Sequence, residues 1–280
     1  KGTYSELKHE QHRLEQFQFA IDKHSIVIQF SVNKEILFYN DKFTRVYGYE
    51  KNEIVGKSTT MLRVEEFDEE FFDGIYQQIE QGKVWRGELS NKAKNGHVHW
   101  FSAAVVPLKS VEGDIESYIA IQSDITEQKQ TEIALRRLHQ ITANPSLNIH
   151  EKIVNLLALG TELFQLPLAI VSEINGNDYK IVYAQSPKGE LNVGDTFSLS
   201  NTYCCHTLSA GKPLAFHNAG KSEINTHPCY QNFALESYIG TPLLVDGKLY
   251  GTLNFSSPEP YGKPFSDSDL ELVQLIAQWV

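Results

Sequence analysis

The side chains best suited to chemistry gather late in the chain: Cys204, Cys205, His206, His217, His227 and Cys229. Thiolates and imidazoles are the natural ligands of borderline metals, and a thiolate is also a nucleophile. The spacing does not follow the short C-x₂₋₄-C or H-x₃₋₅-H pairs of structural zinc sites. Adjacent Cys204 and Cys205 point different ways on a helix, which makes them poor joint ligands for one ion. The expectation is therefore no metal or iron–sulfur centre and simply buried thiols. Three cysteines with one adjacent pair are a poor disulfide framework, which fits a reducing, cytoplasmic setting. A second set, Asn40, Trp85, Asn91 and Trp100, combines aromatic faces with amide groups. It would stack on and hydrogen-bond a planar ligand if it lined a pocket. Core or edge packing is the alternative for both tryptophans.

Other classes find no support. There is no G-x-S-x-G elbow, P-loop, H-E-x-x-H or kinase signature, so no catalytic residue is assigned and the chain is read as a non-enzyme. The acidic run Glu65-Glu66-Phe67-Asp68-Glu69-Glu70 reads as solvated loop and helix-start charge. A net charge of -10 argues against nucleic acid. No apolar run approaches the roughly 20 residues of a membrane helix, and no signal peptide opens the chain. With 280 residues, two domains are expected. Both ends fall inside helical patterns, so a piece of a longer polypeptide is expected.

The elements that must position these residues follow from periodicity. Leu7, Leu14, Phe17 and Ile21 mark an amphipathic helix over 4–23, with Leu7, Leu14 and Ile21 seven apart like a short coiled-coil seam. Strands are predicted over 25–31 and 36–39 and helices over 41–47 and 69–81. Strands over 84–92 and 97–108 flank the hairpin signal Asn95-Gly96, and another spans 115–123. Asp124, with Glu127 three residues on, predicts a capping box for a helix running to about 143 with the stripe Ala134, Leu138 and Ile141. Beyond Pro145 come a helix over 149–164, strands over 168–174 and 179–185, a helix near 201–210 and a strand over 213–217. The stretch 218–233 reads as irregular. Strands over 237–245 and 248–256 and a final helix from Ser266 close the chain. The fold class is α+β: two domains, each a central antiparallel sheet flanked by helices. The division is a helix over 1–23, a domain over 24–126, a helical linker over 127–148 and a domain over 149–280.

Residues 15–126 resemble a PAS domain through Tyr39-Asn40-Asp41-Lys42-Phe43, Tyr47-Gly48-Tyr49, Glu53-Ile54-Val55-Gly56, Val84-Trp85-Arg86-Gly87-Glu88, Lys94-Asn95-Gly96, Trp100, Pro107 and Asp124-Ile125-Thr126. Residues 150–280 resemble a GAF domain through Tyr203-Cys204, His227-Pro228-Cys229-Tyr230, Ser237-Tyr238-Ile239-Gly240-Thr241-Pro242 and Tyr250-Gly251-Thr252-Leu253-Asn254-Phe255. The resemblance implies a sensory and regulatory module upstream of an output domain. A histidine kinase is the first choice and a diguanylate cyclase the second; a ligand-free structural and dimerisation module is the other reading. It implies signal coupling through Asp124, Ile125 and Thr126.

The resemblance also bears on cofactors. A cysteinyl-flavin photosensor is excluded in the first domain, since no cysteine precedes Cys204. Haem is not expected, because helix 69–81 carries no histidine and His97 and His99 read as surface residues. Non-covalent FAD near Trp85, Asn91, Trp100 and Asn40 is the remaining option there. In the GAF-like domain the candidate pocket is Tyr203, Cys204, His206, His217, Cys229, Tyr230, Tyr238 and Asn254. Bilin attachment is disfavoured, because Tyr230 rather than histidine follows Cys229 and the segment to Pro242 is short. Cyclic-nucleotide binding would use backbone amides around Asn201–Tyr203, groups that any helix start offers. A small-molecule ligand and a homodimer through the helices are the expected partners.

Overall fold

The computed structural model describes the backbone of residues 2–64, 67–187 and 191–280, with side chains from residue 8 onward. It separates into two compact units, Lys1–Gln130 and Thr131–Val280. In the first unit, α1 (Gly2–His24) leads into β1 (Ile26–Ser31) and β2 (Ile36–Tyr39). Three helices follow, α2 (Asp41–Tyr47), α3 (Lys51–Ile54) and α4 (Glu69–Glu80), and then β3 (Trp85–Lys92), β4 (Val98–Lys109) and β5 (Ile115–Asp124). The sheet order is β2-β1-β5-β4-β3, antiparallel throughout. Gly96 sits in the β3–β4 turn at φ 87°, a conformation that favours glycine.

The core of this unit follows from helical spacing. Phe43 and Tyr47, four apart on α2, stack at 4.4 Å, and Tyr47 stacks on Phe101 of β4 at 5.3 Å. Phe72, Ile75 and Ile79 form the buried face of α4, and Asp68 caps it by accepting from the Phe71 amide at 2.9 Å. Leu14 and Ile21 of the α1 seam are exposed, Leu14 by 62%, as is Phe17. The Leu7 side chain, Glu65 and Glu66 lie outside the described residues.

Next come α5 (Thr126–Thr142), α6 (Ile149–Phe164), β6 (Leu168–Asn175), β7 (Asp178–Gln185) and β8 (Thr196–Ser198). They are followed by α7 (Cys204–Ala210), β9 (Leu214–Phe216), α8 (Pro228–Phe233), β10 (Ser237–Val245), β11 (Lys248–Ser257) and α9 (Asp267–Ala277). Leu138 of α5 joins Ile153, Leu156 and Leu253 in the core of the second unit. Its sheet runs β8-β7-β6-β11-β10-β9, again antiparallel. Close approach of β11 to β6 needs Gly251, because a Cβ there would lie 1.7 Å from the Ser172 carbonyl oxygen.

The architecture is α+β with two helix-flanked antiparallel sheets, as the periodicity predicts. Local differences are confined to short pieces. The stretch read as irregular over 218–233 holds 3₁₀ turns at Ala219–Lys221 and Glu223–Thr226 and then α8, with His227 at its N-cap and Pro228 in its first turn. Pieces this short carry too few residues for a 3.6-residue period to register. The helix expected over 201–210 is a 3₁₀ turn at Leu199–Asn201 followed by α7, which ends at Gly211 with φ 63°.

Candidate functional site

A cavity of about 350 Å³ opens in the second unit between the sheet and the segment carrying α7 and α8. The N-terminus of α7 brings Tyr203 and Cys204 to it, α8 brings Cys229 and Phe233, and the sheet brings Tyr179, Tyr238 and Asn254. Gly240 makes this possible: a Cβ there would lie 2.3 Å from the Tyr238 hydroxyl and 3.0 Å from the Asn254 Cβ. Leu168, Ile170, Leu191, Phe197 and Leu235 complete an apolar wall.

The polar groups form one uncharged network. The Tyr238 hydroxyl lies 2.7 Å from Thr207 Oγ1 and donates to Cys204 Sγ at 3.5 Å. Asn254 Nδ2 donates to Cys204 Sγ at 3.4 Å and to the Tyr179 hydroxyl at 3.3 Å. Burial pushes the Tyr179 and Tyr238 hydroxyls well above their ordinary range and also raises the Cys204 thiol, so all three stay protonated at neutral pH. Burial likewise pushes the Cys229 thiol up to about 12. Among the described lining residues none carries a charge. Volume and lining suit a small, uncharged, largely apolar molecule with a few hydrogen-bonding groups. They do not suit a phosphate, which needs donors and positive potential.

Of the residues expected here, Tyr203, Cys204, Cys229, Tyr238 and Asn254 line the cavity. His206, His217 and Tyr230 do not. His217 is exposed at the end of β9. The Tyr230 hydroxyl turns to Glu236, donating to its Oε1 at 2.9 Å. His206 follows Cys205 around the helix and lies beside His227, with ring centroids 4.8 Å apart and the planes tilted by 58°. Cys204 and Cys205 do diverge, as adjacent helical positions must. Cys204 faces the cavity, while Cys205 Sγ lies 3.6 Å from His227 Nε2. Burial and the neighbouring His206 hold His227 below the usual histidine range. Sequence reasoning missed Tyr179, Phe197 and Phe233. Tyr179 was reachable, because Tyr179 and Ile181 alternate with exposed Asp178 and Lys180 along β7.

The first unit offers much less room. Its cavity is about 80 Å³, lined by Phe30, Leu62, Arg63, Phe72, Asn91 and Gln122 among others. With its amide nitrogen directed at the Ser90 and Leu62 carbonyls, Asn91 accepts from the buried Tyr47 hydroxyl at 2.8 Å, and Gln122 lies 2.9 Å from the same hydroxyl. The volume of this cavity is well below the roughly 300–1,000 Å³ of cofactor sites.

Three of the four residues expected to line this pocket do other work. Asn40 caps α2: its Oδ1 accepts from the Val27 and Phe43 amides, and its Nδ2 donates to the Ser25 carbonyl and to Asp22. The Trp85 indole covers Gly87, where a Cβ would meet it at 2.6 Å, and meets Phe71 edge-on. Trp100 packs edge-on against Phe67, with Lys129 over its ring.

Asp124, Ile125 and Thr126 knit β5, β4 and the start of α5 together. The Trp100 amide donates to Thr126 Oγ1 at 2.9 Å, and Thr126 Oγ1 in turn donates to Asp124 Oδ1. The Ile125 amide donates to the Trp100 carbonyl at 2.8 Å, and His99 Nδ1 lies 3.1 Å from Asp124 Oδ2. Asp124 is the last residue of β5, two residues before the start of α5. Its carboxylate accepts from the Thr126 amide, two residues on.

Comparison with known proteins finds two families along the chain. Residues 23–127 match the family model of the PAS domain, and residues 148–280 match that of the GAF domain. The chain is 26% identical over 121 residues to a nitrogen fixation regulatory protein of Klebsiella pneumoniae, covering 43% of this chain and 24% of that protein. It is 28% identical over 91 residues to a blue-light-activated histidine kinase of Brucella anthropi, covering 32% of this chain and 18% of that one. The chain therefore spans about a quarter or less of the length of these curated relatives. A crystal structure of a PAS domain from a Colwellia psychrerythraea protein aligns with a TM-score of 0.37 and 27% identity, covering 41% of this chain and 98% of that one. No helix among the described residues is long and apolar enough to cross a membrane.

Proposed function

Because the chain is a tandem PAS–GAF region, and so a sensory, regulatory module, we propose that its GAF domain detects a small uncharged ligand and its helices pass that state to a downstream output domain. The observation that carries this reading is the 350 Å³ cavity, whose described lining residues are all uncharged. The hydroxyl, amide and thiol groups at its floor offer both donors and acceptors, so a ring bearing hydroxyl or carbonyl groups is the favoured class. A histidine kinase is the preferred output, in keeping with the resemblance to the Brucella kinase. The Asp124–Thr126 network is the proposed coupling element, since it joins two strands to the first turn of α5. The exposed apolar side chains of α1 support a homodimer through helices. A cytoplasmic location is part of the same proposal.

The test is thermal unfolding and native mass spectrometry of the reduced protein with indole, 4-cresol and naringenin, beside Ser256→Leu, which narrows the cavity. A higher melting temperature and a bound mass that Ser256→Leu abolishes are expected for at least one probe. No response to any probe, together with no co-purifying mass in protein isolated from its native host, would refute ligand sensing at this cavity.

A further inference from the structure

Behind the cavity wall, Cys205, His206 and His227 bring one sulfur and two imidazoles together, with their ligand atoms all within 4.8 Å of one another. Cys205 and His206 come from the first turn of α7, and His227 from the N-cap of α8. A tetrahedral ion with Zn–S of about 2.3 Å and Zn–N of about 2.0–2.1 Å holds sulfur and nitrogen about 3.6 Å apart. Cys205 Sγ and His227 Nε2 are 3.6 Å apart. A second, independent observation points to a missing ligand. Among the described residues, His206 Nε2 is the buried side-chain atom that has no hydrogen-bond partner. A buried, unpartnered ring nitrogen is costly, and an ion held through that nitrogen would satisfy it.

We propose that Cys205, His206 and His227 bind a borderline transition-metal ion of the Zn²⁺ class, with a fourth coordination place open to water or a small ligand. One thiolate and two imidazoles match that class, and three protein ligands with an open position are the pattern of non-structural zinc sites. Binding releases the Cys205 thiol proton to solvent. It also changes His227. Its Nδ1 accepts from the Cys229 amide at 3.1 Å, which puts the ring proton on Nε2, facing the sulfur. Ligation through Nε2 moves that proton to Nδ1, so the Cys229 amide loses its acceptor and α8 loses its cap. Cys229 and Phe233 of α8 line the neighbouring cavity. The ion is thereby linked to the shape of the ligand pocket.

The experiment titrates the reduced, metal-free chain with Zn²⁺ against a chromophoric chelator, and separately with Co²⁺ followed by absorbance. One equivalent is expected to bind. Co²⁺ should give tetrahedral d–d bands with a near-ultraviolet thiolate-to-cobalt charge-transfer band. Cys205→Ser, His206→Gln and His227→Gln should each weaken Zn²⁺ binding at least tenfold, and His217→Gln should leave it unchanged. Protection of the Cys229 amide from hydrogen exchange should fall when Zn²⁺ binds. A Co²⁺ spectrum without the thiolate band in the unmodified chain overturns the proposal, whatever the variants do. Zn²⁺ affinity that Cys205→Ser leaves within tenfold overturns it as well.

Discussion

Replacing Asn40 by aspartate perturbs the hydrogen bonds that tie the start of α2 to β1 and to Asp22. Asn and Asp are near-equivalent N-caps, so helix propensity alone expects no change. In the structure, Asn40 Nδ2 donates to Asp22 Oδ1 at 3.0 Å and to the Ser25 carbonyl at 2.8 Å. Asn40→Asp removes both donors and sets a second carboxylate against Asp22. Two carboxylates that close cannot both ionise without penalty, so folding raises the pKa of the pair above its unfolded value. The penalty is absent below an unfolded carboxylate pKa of about 4 and grows as the pH rises through it. Losing the two bonds and adding the repulsion should cost about 2–4 kcal/mol at pH 7, and clearly less at pH 4. Asn40→Ala bares the Val27 amide and the Ser25 carbonyl, and should cost a similar amount with a weaker pH dependence, since it removes a donor from Asp22 without adding a second carboxylate. With roughly 3–5 °C per kcal/mol for a unit of this size, each variant should lower the melting temperature of the PAS transition by about 6–20 °C at pH 7. The assay is thermal unfolding by circular dichroism at both pH values. An Asn40→Asp protein as stable as the parent at pH 7, or equally weakened at both pH values, would refute the assignment of Asn40 to this frame.

Further outcomes follow from the same geometry. Thr126→Val leaves the Trp100 amide without its acceptor and should cost about 1–3 kcal/mol by urea unfolding; a cost below about 0.5 kcal/mol would contradict the proposed coupling network. Asp124→Ala should raise hydrogen exchange at the Thr126 amide while leaving the fold intact, and unchanged exchange there would argue against its role. Gly251→Ala should abolish soluble expression, because its Cβ would overlap the Ser172 carbonyl; a soluble, native-like variant would contradict the β11–β6 register. In metal-free protein at pH 8, iodoacetamide should label half-exposed Cys205 before buried Cys204 and Cys229. With its thiol pushed up to about 12, Cys229 holds thiolate on the order of one part in ten thousand at that pH. Equal labelling of all three thiols in folded protein would overturn the buried-thiol description.

The two helix-flanked antiparallel sheets, the hairpin at Asn95-Gly96 and most element boundaries are legible in the residues alone. Each of these follows from local periodicity and turn chemistry, which a chain carries residue by residue. Family resemblance also placed Tyr203, Cys204, Cys229, Tyr238 and Asn254 near one pocket. How those side chains divide depends on the packed fold. Asn40 and Trp85 have the composition of a binding site, but hydrogen bonding to Asp22 and packing on Gly87 commit them to the frame. Cys205 looked unpromising beside Cys204, because linear spacing cannot show that α8 carries His227 back across α7. Tyr179, Phe197 and Phe233 reach the cavity from three different segments. The sulfur, the nitrogens and the cavity wall are defined by distances between residues far apart in the chain. Those distances exist only after the sheet has closed.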